Sequence, residues 1–308
     1  MGVAAPDPGD RHRLWQALFV AYQRVLPRSP GLRRLLKRVP LAARLHRFVH
    51  ARSSGTVQVK VQGLRMYVDA RDSIVGHALI RDGVWEQYES QLFVSTIRPG
   101  MTVADVGAHI GYYTLLAARE VGPRGRVLAF EPDPRAFTLL RRNVDVNLFA
   151  DRVTALPVAL SNAESTAELF RDPASVGTPS FAKANLRTDG HPCVVRTTTM
   201  DAVLADQRVG KLDVVKIDTQ GAEALVFAGA LRAFAHGPLR CFVEFWPFGL
   251  RNLGADPVDL LRTWTRGGFT IRLIDADCRE ARAVNVDAVM SACSADPYRF
   301  VDLLLEKD

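Results

Sequence analysis

The sequence predicts an α/β protein: a doubly wound, mostly parallel sheet of seven strands with an antiparallel C-terminal edge, preceded by a helical and β-hairpin extension. Three observations carry that reading. From residue 100 onward, short apolar runs bounded by acidic residues or glycine alternate with stretches of helical period, as in strands buried on both faces and joined by crossover helices. The first run ends in a glycine turn leading straight into a helix, and the second ends in an acidic residue, which suits the carboxyl edge where open α/β sheets bind ligands. Before residue 69 the period is first helical and then two, so the chain divides into an extension, residues 1–68, and an α/β domain, residues 69–308.

Taking the elements in order, the apolar residues Leu14, Leu18 and Tyr22, with Trp15 and Phe19 alongside, recur at helical spacing. Pro27, Pro30 and Pro40 cut the basic region that follows into short helices whose polar faces are Arg24, Arg28, Arg33, Arg34, Arg38, Arg44, Arg47 and Lys37. After Gly55, Val57, Val59 and Val61 alternate with polar residues, and Met66 and Val68 continue the alternation beyond Gly63: a β-hairpin. The seven strands follow at 102–106, 126–130, 152–160, 212–217, 239–245, 269–274 and 300–305, with helices at 112–119, 134–148, 222–234 and 257–266. No helix is expected between the last two strands, which therefore form the antiparallel edge pair.

Composition excludes several classes. With 48% hydrophobic and 24% charged residues and no repeated block, the chain is neither disordered, fibrous nor a repeat array. Its most apolar N-terminal stretch, Leu14 to Tyr22, is short, carries Gln16 and has no small-residue cleavage site behind it, which argues against a spanning helix or a secretory signal. Cys193, Cys241, Cys278 and Cys293 are too scattered for a zinc knuckle or a disulfide framework, so a cytoplasmic setting is expected. The net charge of +7 is uneven: residues 1–68 carry +11 and the remainder −4.

The first strand runs into Val103-Ala104-Asp105-Val106-Gly107-Ala108-His109-Ile110-Gly111 and a helix. Glycine permits backbone conformations and a close ligand approach that a Cβ would block. A nicotinamide site needs G-x-G-x-x-G, whereas these glycines are spaced G-x-x-x-G with an acidic residue two positions before the first. That arrangement suits S-adenosylmethionine, whose amino acid end is zwitterionic and has no pyrophosphate. Asp105 would meet its ammonium group, amides from Gly107 to Gly111 its carboxylate, and Glu131, at the end of the second strand, both ribose hydroxyls.

These residues carry a family resemblance. Val84-Trp85-Glu86, the run from Asp105 through Tyr112-Tyr113-Thr114, Phe130-Glu131-Pro132-Asp133-Pro134, Asn143, Asn147, Thr199-Met200-Asp201, and Lys216-Ile217-Asp218-Thr219-Gln220-Gly221-Ala222-Glu223 resemble the FkbM family of methyltransferases over residues 84–275. The resemblance implies a class I, Rossmann-like fold and S-adenosylmethionine-dependent methylation, commonly of a hydroxyl on a sugar, glycolipid or secondary metabolite. The cofactor contacts expected on this basis are Asp105, Gly107, Ala108, His109, Gly111, Tyr113, Thr114, Glu131, Pro132, Ala159, Leu160 and Asp218. Gln220 stands where the family commonly has Glu, and His109 where it more often has Asn.

Methyl transfer to an alcohol needs alignment of the acceptor and removal of a proton. Asp218 ends the fourth strand and Glu244 the fifth, so the two carboxylates converge if these strands are neighbours. Asp218 is then a base, an orienter, or a ligand to a divalent metal shared with Glu244; the metal is disfavoured because no third ligand is evident nearby. The bland alternative is that Asp218 pairs with Lys216 and caps the next helix. His109 is a second candidate base, or a loop residue binding through its backbone. Trp85, Glu86 and Tyr88, the insertion from Ser161 to Arg196, and Trp246 with Phe248 are candidate acceptor contacts, the tryptophans being equally well read as core.

The rivals are a ribose methyltransferase acting on RNA and a non-catalytic protein bound to membranes or partners on the same scaffold. Nucleic-base amine methylation is disfavoured because Ile217-Asp218-Thr219-Gln220 lacks the Pro-Pro-aromatic ending that chemistry uses. The basic helices of residues 11–52 suit peripheral contact with an anionic inner-membrane surface, although packing against protein is the favoured reading; oligomeric state is not legible.

Overall fold

The computed structural model describes residues 8–25, 55–72, 74–171, 179–186, 190–235, 237–293 and 299–308. The helices expected over residues 26–52, with Arg28, Arg33, Arg34, Lys37, Arg38, Arg44 and Arg47, lie outside them, as does most of the stretch around Gly177. The chain forms two compact units, Met1–Trp85 and Glu86–Asp308, so the first extends past residue 68.

The first unit contains α1 (Pro8–Val25), β1 (Thr56–Val61), β2 (Leu64–Asp69) and α2 (Val75–Asp82). Gln62 and Gly63 both have positive φ, +47° and +88°, the two-residue turn whose twist matches an antiparallel ribbon. Val57, Val59 and Val61 are buried on one face of that ribbon. Among the described side chains of α1, Phe19, whose ring lies 5.8 Å from His77 of α2, and Gln23 are buried, while Leu18 is 45% exposed. The helix therefore turns Phe19, rather than the expected Leu18, toward α2.

The second unit begins with α3 (Gln87–Thr96), β3 (Thr102–Val106), α4 (Tyr112–Val121), β4 (Arg126–Phe130), α5 (Pro134–Val146) and β5 (Val153–Leu156). Next come β6 (Ala159–Leu160), β7 (Ser165–Arg171), a 3₁₀ turn (Lys183–Asn185), β8 (His191–Thr198) and α6 (Met200–Asp206). The chain then forms β9 (Val214–Ile217), α7 (Glu223–Ala228), β10 (Leu239–Phe245), α8 (Pro247–Asn252), α9 (Pro257–Arg266), β11 (Thr270–Asp275), β12 (Glu280–Ala283), α10 (Val286–Cys293) and β13 (Val301–Lys307). Among the described residues the main sheet has eight strands in the order β12-β11-β13-β10-β9-β3-β4-β5.

Three expectations are corrected. The sheet has an eighth strand, β12, too short and too charged to read as one. The antiparallel strand β13 lies inside, between β10 and β11, and α10 supplies the helix that was not expected between the last two strands. The third strand ends at Leu156, where Pro157 removes a ladder donor; Ala159 and Leu160 belong to a separate sheet, β6-β8-β7, paired with Thr197 and Thr198.

Register explains where polar chemistry sits. Residues opposite one another on neighbouring strands share a face of a sheet. One face of the central strands of the main sheet is apolar: Val106, Phe130, Ile217, Val243, Phe245 and Leu305 join the core under α6, α7 and α9. On the other face Asp105 lies opposite Lys216, Lys216 opposite Phe242, and Glu244 opposite Asp302. The ring of Phe93 from α3 packs on Phe242 and on Tyr113 of α4, which places α3 and α4 over this polar row.

Candidate active site

The turn after β3 is held from beneath. The amides of Gly107 and Ala108 both donate to Phe130 O, that of Gly111 to Ala108 O, and that of His109 to Glu131 Oε2 at 2.7 Å. Of the five amides expected to meet a cofactor carboxylate, these four are thus engaged by the protein itself, three of them at the end of β4. Gly107 has φ +81°, and a Cβ there would stand 1.9 Å from Asp218 O; Gly111 has φ +92°, and its Cβ would stand 2.7 Å from Leu140 Cδ1. Both glycines are required by close contact with protein as well as by φ.

Two buried carboxyls flank this turn on adjacent strands. Asp105 is 2% exposed and accepts from the Thr114 hydroxyl at 2.5 Å; burial pushes its pKa up to about 6, against the pull of Thr114 and Lys216. Glu131 is 3% exposed, and each of its oxygens accepts one backbone amide, from His109 and from Asp133 at 2.7 Å. Burial outweighs those bonds and raises Glu131 to about 8. Each oxygen keeps a second lone pair, so the carboxylate has capacity for two further hydroxyl donors. In their ionised forms these carboxyls are acceptors only, and so placed they fit an ammonium at Asp105 and a ribose diol at Glu131, and with them S-adenosylmethionine.

Beyond β9, Asp218 N donates to Val106 O, tying this strand end to the glycine turn. Gln220 Nε2 donates to Asp218 Oδ1 and to Glu244 Oε2, both at 2.8 Å, so the carboxylates of neighbouring strands β9 and β10 are joined through one amide. Glu244 is raised well above the ordinary carboxyl range by burial and by the charges of Asp218 and Asp302. Neither bland role expected for Asp218 is seen: Lys216 pairs with Glu89, and α7 has no side-chain cap at its N-terminus. Instead Glu223 Oε1 accepts from the Thr219 amide and hydroxyl and from the Gly221 amide, and burial raises Glu223 to about 7.

Alongside lies a second polar group. Lys216 Nζ bonds Glu89 Oε1 at 2.9 Å, sealed from water, and sits 5.1 Å from the centre of the Tyr113 ring. The Tyr113 hydroxyl donates to Glu86 Oε2 at 2.9 Å. Glu86, Glu89 and Asp302 bring carboxylate oxygens within 4.8 Å of one another. Burial, then the charge of Glu89, raises Asp302 to about 8 and Glu86 well above its ordinary range. Glu89, Gln220 and Asp302 were not legible as site residues. Glu86 and Glu89 at i, i+3 were the available signal for the first, and the β10–β13 register that sets Asp302 beside Glu244 is a long-range fact.

The remaining candidates are spread. Thr114 holds Asp105, Pro132 separates Glu131 from its amide partner Asp133, and His109 (φ +52°) uses its backbone on Glu131. Ala159 and Leu160 lie in the separate sheet, not at the main sheet's strand ends. Trp85, half-buried, closes the first unit, and Tyr88 lies under the Arg279 guanidinium. Trp246 is buried, with Phe248 beside its ring and Gly249 against it, so it packs α8 rather than offering an open face to a sugar. In the insertion, Ser180 and Asn185 reach the loop at Gln220.

A family model described as Methyltransferase FkbM domain matches residues 105–267, from Asp105 through the Asp218–Glu244 pair. Methyltransferase sdnD of Sordaria araneosa is 28% identical over 177 residues, covering 48% of this chain and 68% of that protein. Hexuronic acid methyltransferase AglP of Haloferax volcanii is 27% identical over 156 residues, 50% of this chain and 60% of that protein. The 31-O-demethyl-FK506 methyltransferase FkbM of Streptomyces tacrolimicus is 30% identical over 158 residues, 43% of this chain and 60% of that protein. The matches therefore span between 60 and 68% of the length of these relatives.

Proposed function

We propose, from the premise that this chain belongs to the FkbM family of S-adenosylmethionine-dependent methyltransferases, that it methylates a hydroxyl of a sugar, glycolipid or secondary metabolite. The observation that carries the reading is the contact of Gly107 with the Asp218 carbonyl, which joins the cofactor turn to the strand end bearing the candidate base. The names of two relatives, one a hexuronic acid methyltransferase and one acting on a 31-O-demethyl compound, support a hydroxyl acceptor.

The cofactor supplies an electrophilic methyl group on a sulfonium. Asp105 would hold its ammonium and Glu131 its ribose diol. Asp218, partly open to solvent, is the group that would take the proton of the acceptor hydroxyl. Glu244, whose pKa is raised by burial and by the charge of Asp218, helps fix the Gln220 amide. No step is assigned to a metal. Among the described residues no helix is long and apolar enough to cross a membrane, and contact of the basic N-terminal segment with a membrane surface is not part of this reading.

The test is mass spectrometry of the small-molecule and glycolipid pools of cells with and without the protein. A product lacking one methyl in the deleted strain, restored by the purified full chain with S-adenosylmethionine, supports the reading. Identical pools, with no demethylated cofactor formed by the chain in extracts of either strain, contradict it.

A further inference from the structure

We propose that Asn185, in the insertion between β5 and α6, is a positioning residue for the reaction centre: it fixes the backbone of Gln220, whose side-chain amide in turn holds Asp218 and Glu244 together. The inference rests on the function proposed above and extends it to residues that touch neither cofactor nor acceptor.

A primary amide has two hydrogens, and Gln220 Nε2 has one carboxyl oxygen for each, Asp218 Oδ1 and Glu244 Oε2 at 2.8 Å. Both hydrogens are used, so the amide plane is fixed only if the backbone carrying it is fixed. That backbone is in the left-handed region, φ +53°, which a residue with a side chain keeps only where its surroundings hold it. The holding groups come from the insertion. Gln220 O accepts from Ser180 Oγ and from Asn185 Nδ2, each at 2.9 Å, and Asn185 Oδ1 accepts from Asn252 Nδ2 of α8 at 2.7 Å.

Ser180 and Asn185 are buried, so these bonds are not exchanged readily for water. The next residue leaves no slack: a Cβ on Gly221 would stand 2.6 Å from the Gly249 carbonyl carbon and 2.9 Å from Asn185 Nδ2. On the other side of the loop, Glu223 holds Thr219 and Gly221. The insertion thus acts on the one carbonyl whose residue spans both carboxyls.

The experiment uses the full-length protein labelled with nitrogen-15, at neutral pH, following the side-chain amide of Gln220 by nuclear magnetic resonance, with S-adenosylhomocysteine binding measured by calorimetry. In the native chain both side-chain hydrogens exchange slowly. In Asn185→Ala they shift and exchange at least about tenfold faster, while S-adenosylhomocysteine affinity changes by less than about threefold. Asn252→Ala, which removes only the bond to Asn185 Oδ1, moves the same signals in the same direction and serves if Asn185→Ala does not fold. Folded variants with the native Gln220 shifts and exchange overturn the proposal. Failure of the native chain to bind S-adenosylhomocysteine overturns the methyltransferase reading instead, a result separable from the amide signals.

Discussion

Gly107 and Asp218 share one small space: the carbonyl oxygen of Asp218 lies 1.9 Å from where a Cβ on Gly107 would stand. The glycine turn of β3 and the end of β9 are therefore fitted to each other before any ligand is considered. A glycine in such a turn is usually read as making room for a cofactor. Here it makes room for the backbone of the candidate base, and Gly111 does the same for Leu140.

Substitution at either glycine is expected to cost stability before it reports on ligand binding. A left-handed φ on a residue with a side chain costs on the order of 1–3 kcal/mol, to which the overlap adds. Gly107→Ala and Gly111→Val should both lower the denaturation midpoint, and Gly107→Ala should displace Asp218. A native midpoint for Gly111→Val would show that the Leu140 contact does not constrain the turn.

Lys216 and Glu89 form an ion pair in which both partners are almost wholly buried. Lys216→Met should destabilise the protein by about 3–5 kcal/mol, because it leaves a buried carboxylate without its partner. The double variant Lys216→Met, Glu89→Leu should recover much of that loss. Urea unfolding of the two variants measures the difference, and an equal loss in both would mean that the pair's charge is not what matters.

Cofactor affinity should rise with pH. Burial raises Asp105 to about 6 and Glu131 to about 8 in the free protein, while an ammonium at one and hydroxyl donors at the other favour the ionised forms. Binding must therefore release protons between pH 6 and 8, and affinity climbs over that window as the carboxyls ionise unaided. Calorimetry in two buffers of different ionisation heat reads the proton count directly. Uptake of protons on binding would reverse the assignment.

Asp218→Asn should lower turnover by about 10² or more and leave affinity for S-adenosylhomocysteine nearly unchanged, as expected of a proton acceptor that does not hold the cofactor. The product found by mass spectrometry provides the assay. Native turnover in this variant would leave Asp218 a structural residue of the β9 end.

Local chemistry was legible in the sequence, and register was not. The strand–glycine–helix run at Asp105 to Thr114 and the acid after Phe130 follow from short patterns, whereas the adjacency of β9 and β10 entered only as a condition, which the sheet order meets. Asp302 escaped notice because its place beside Glu244 depends on β13 inserting between β10 and β11. The roles of Gln220 and Asn185 escaped for a similar reason: 35 residues separate two groups joined by one hydrogen bond. In α1 the helical period was correct, but Phe19 rather than Leu18 faces inward, a choice that periodicity leaves open when apolar residues adjoin.

The most direct test of the account is titration of S-adenosylhomocysteine into the purified full chain, native and Glu131→Ala, by calorimetry. The account predicts one site per chain in the native protein and an affinity at least about a hundredfold weaker in the variant, since two charge-assisted hydrogen bonds to the ribose are lost. No binding by the native chain, or equal binding by a folded Glu131→Ala, would contradict it.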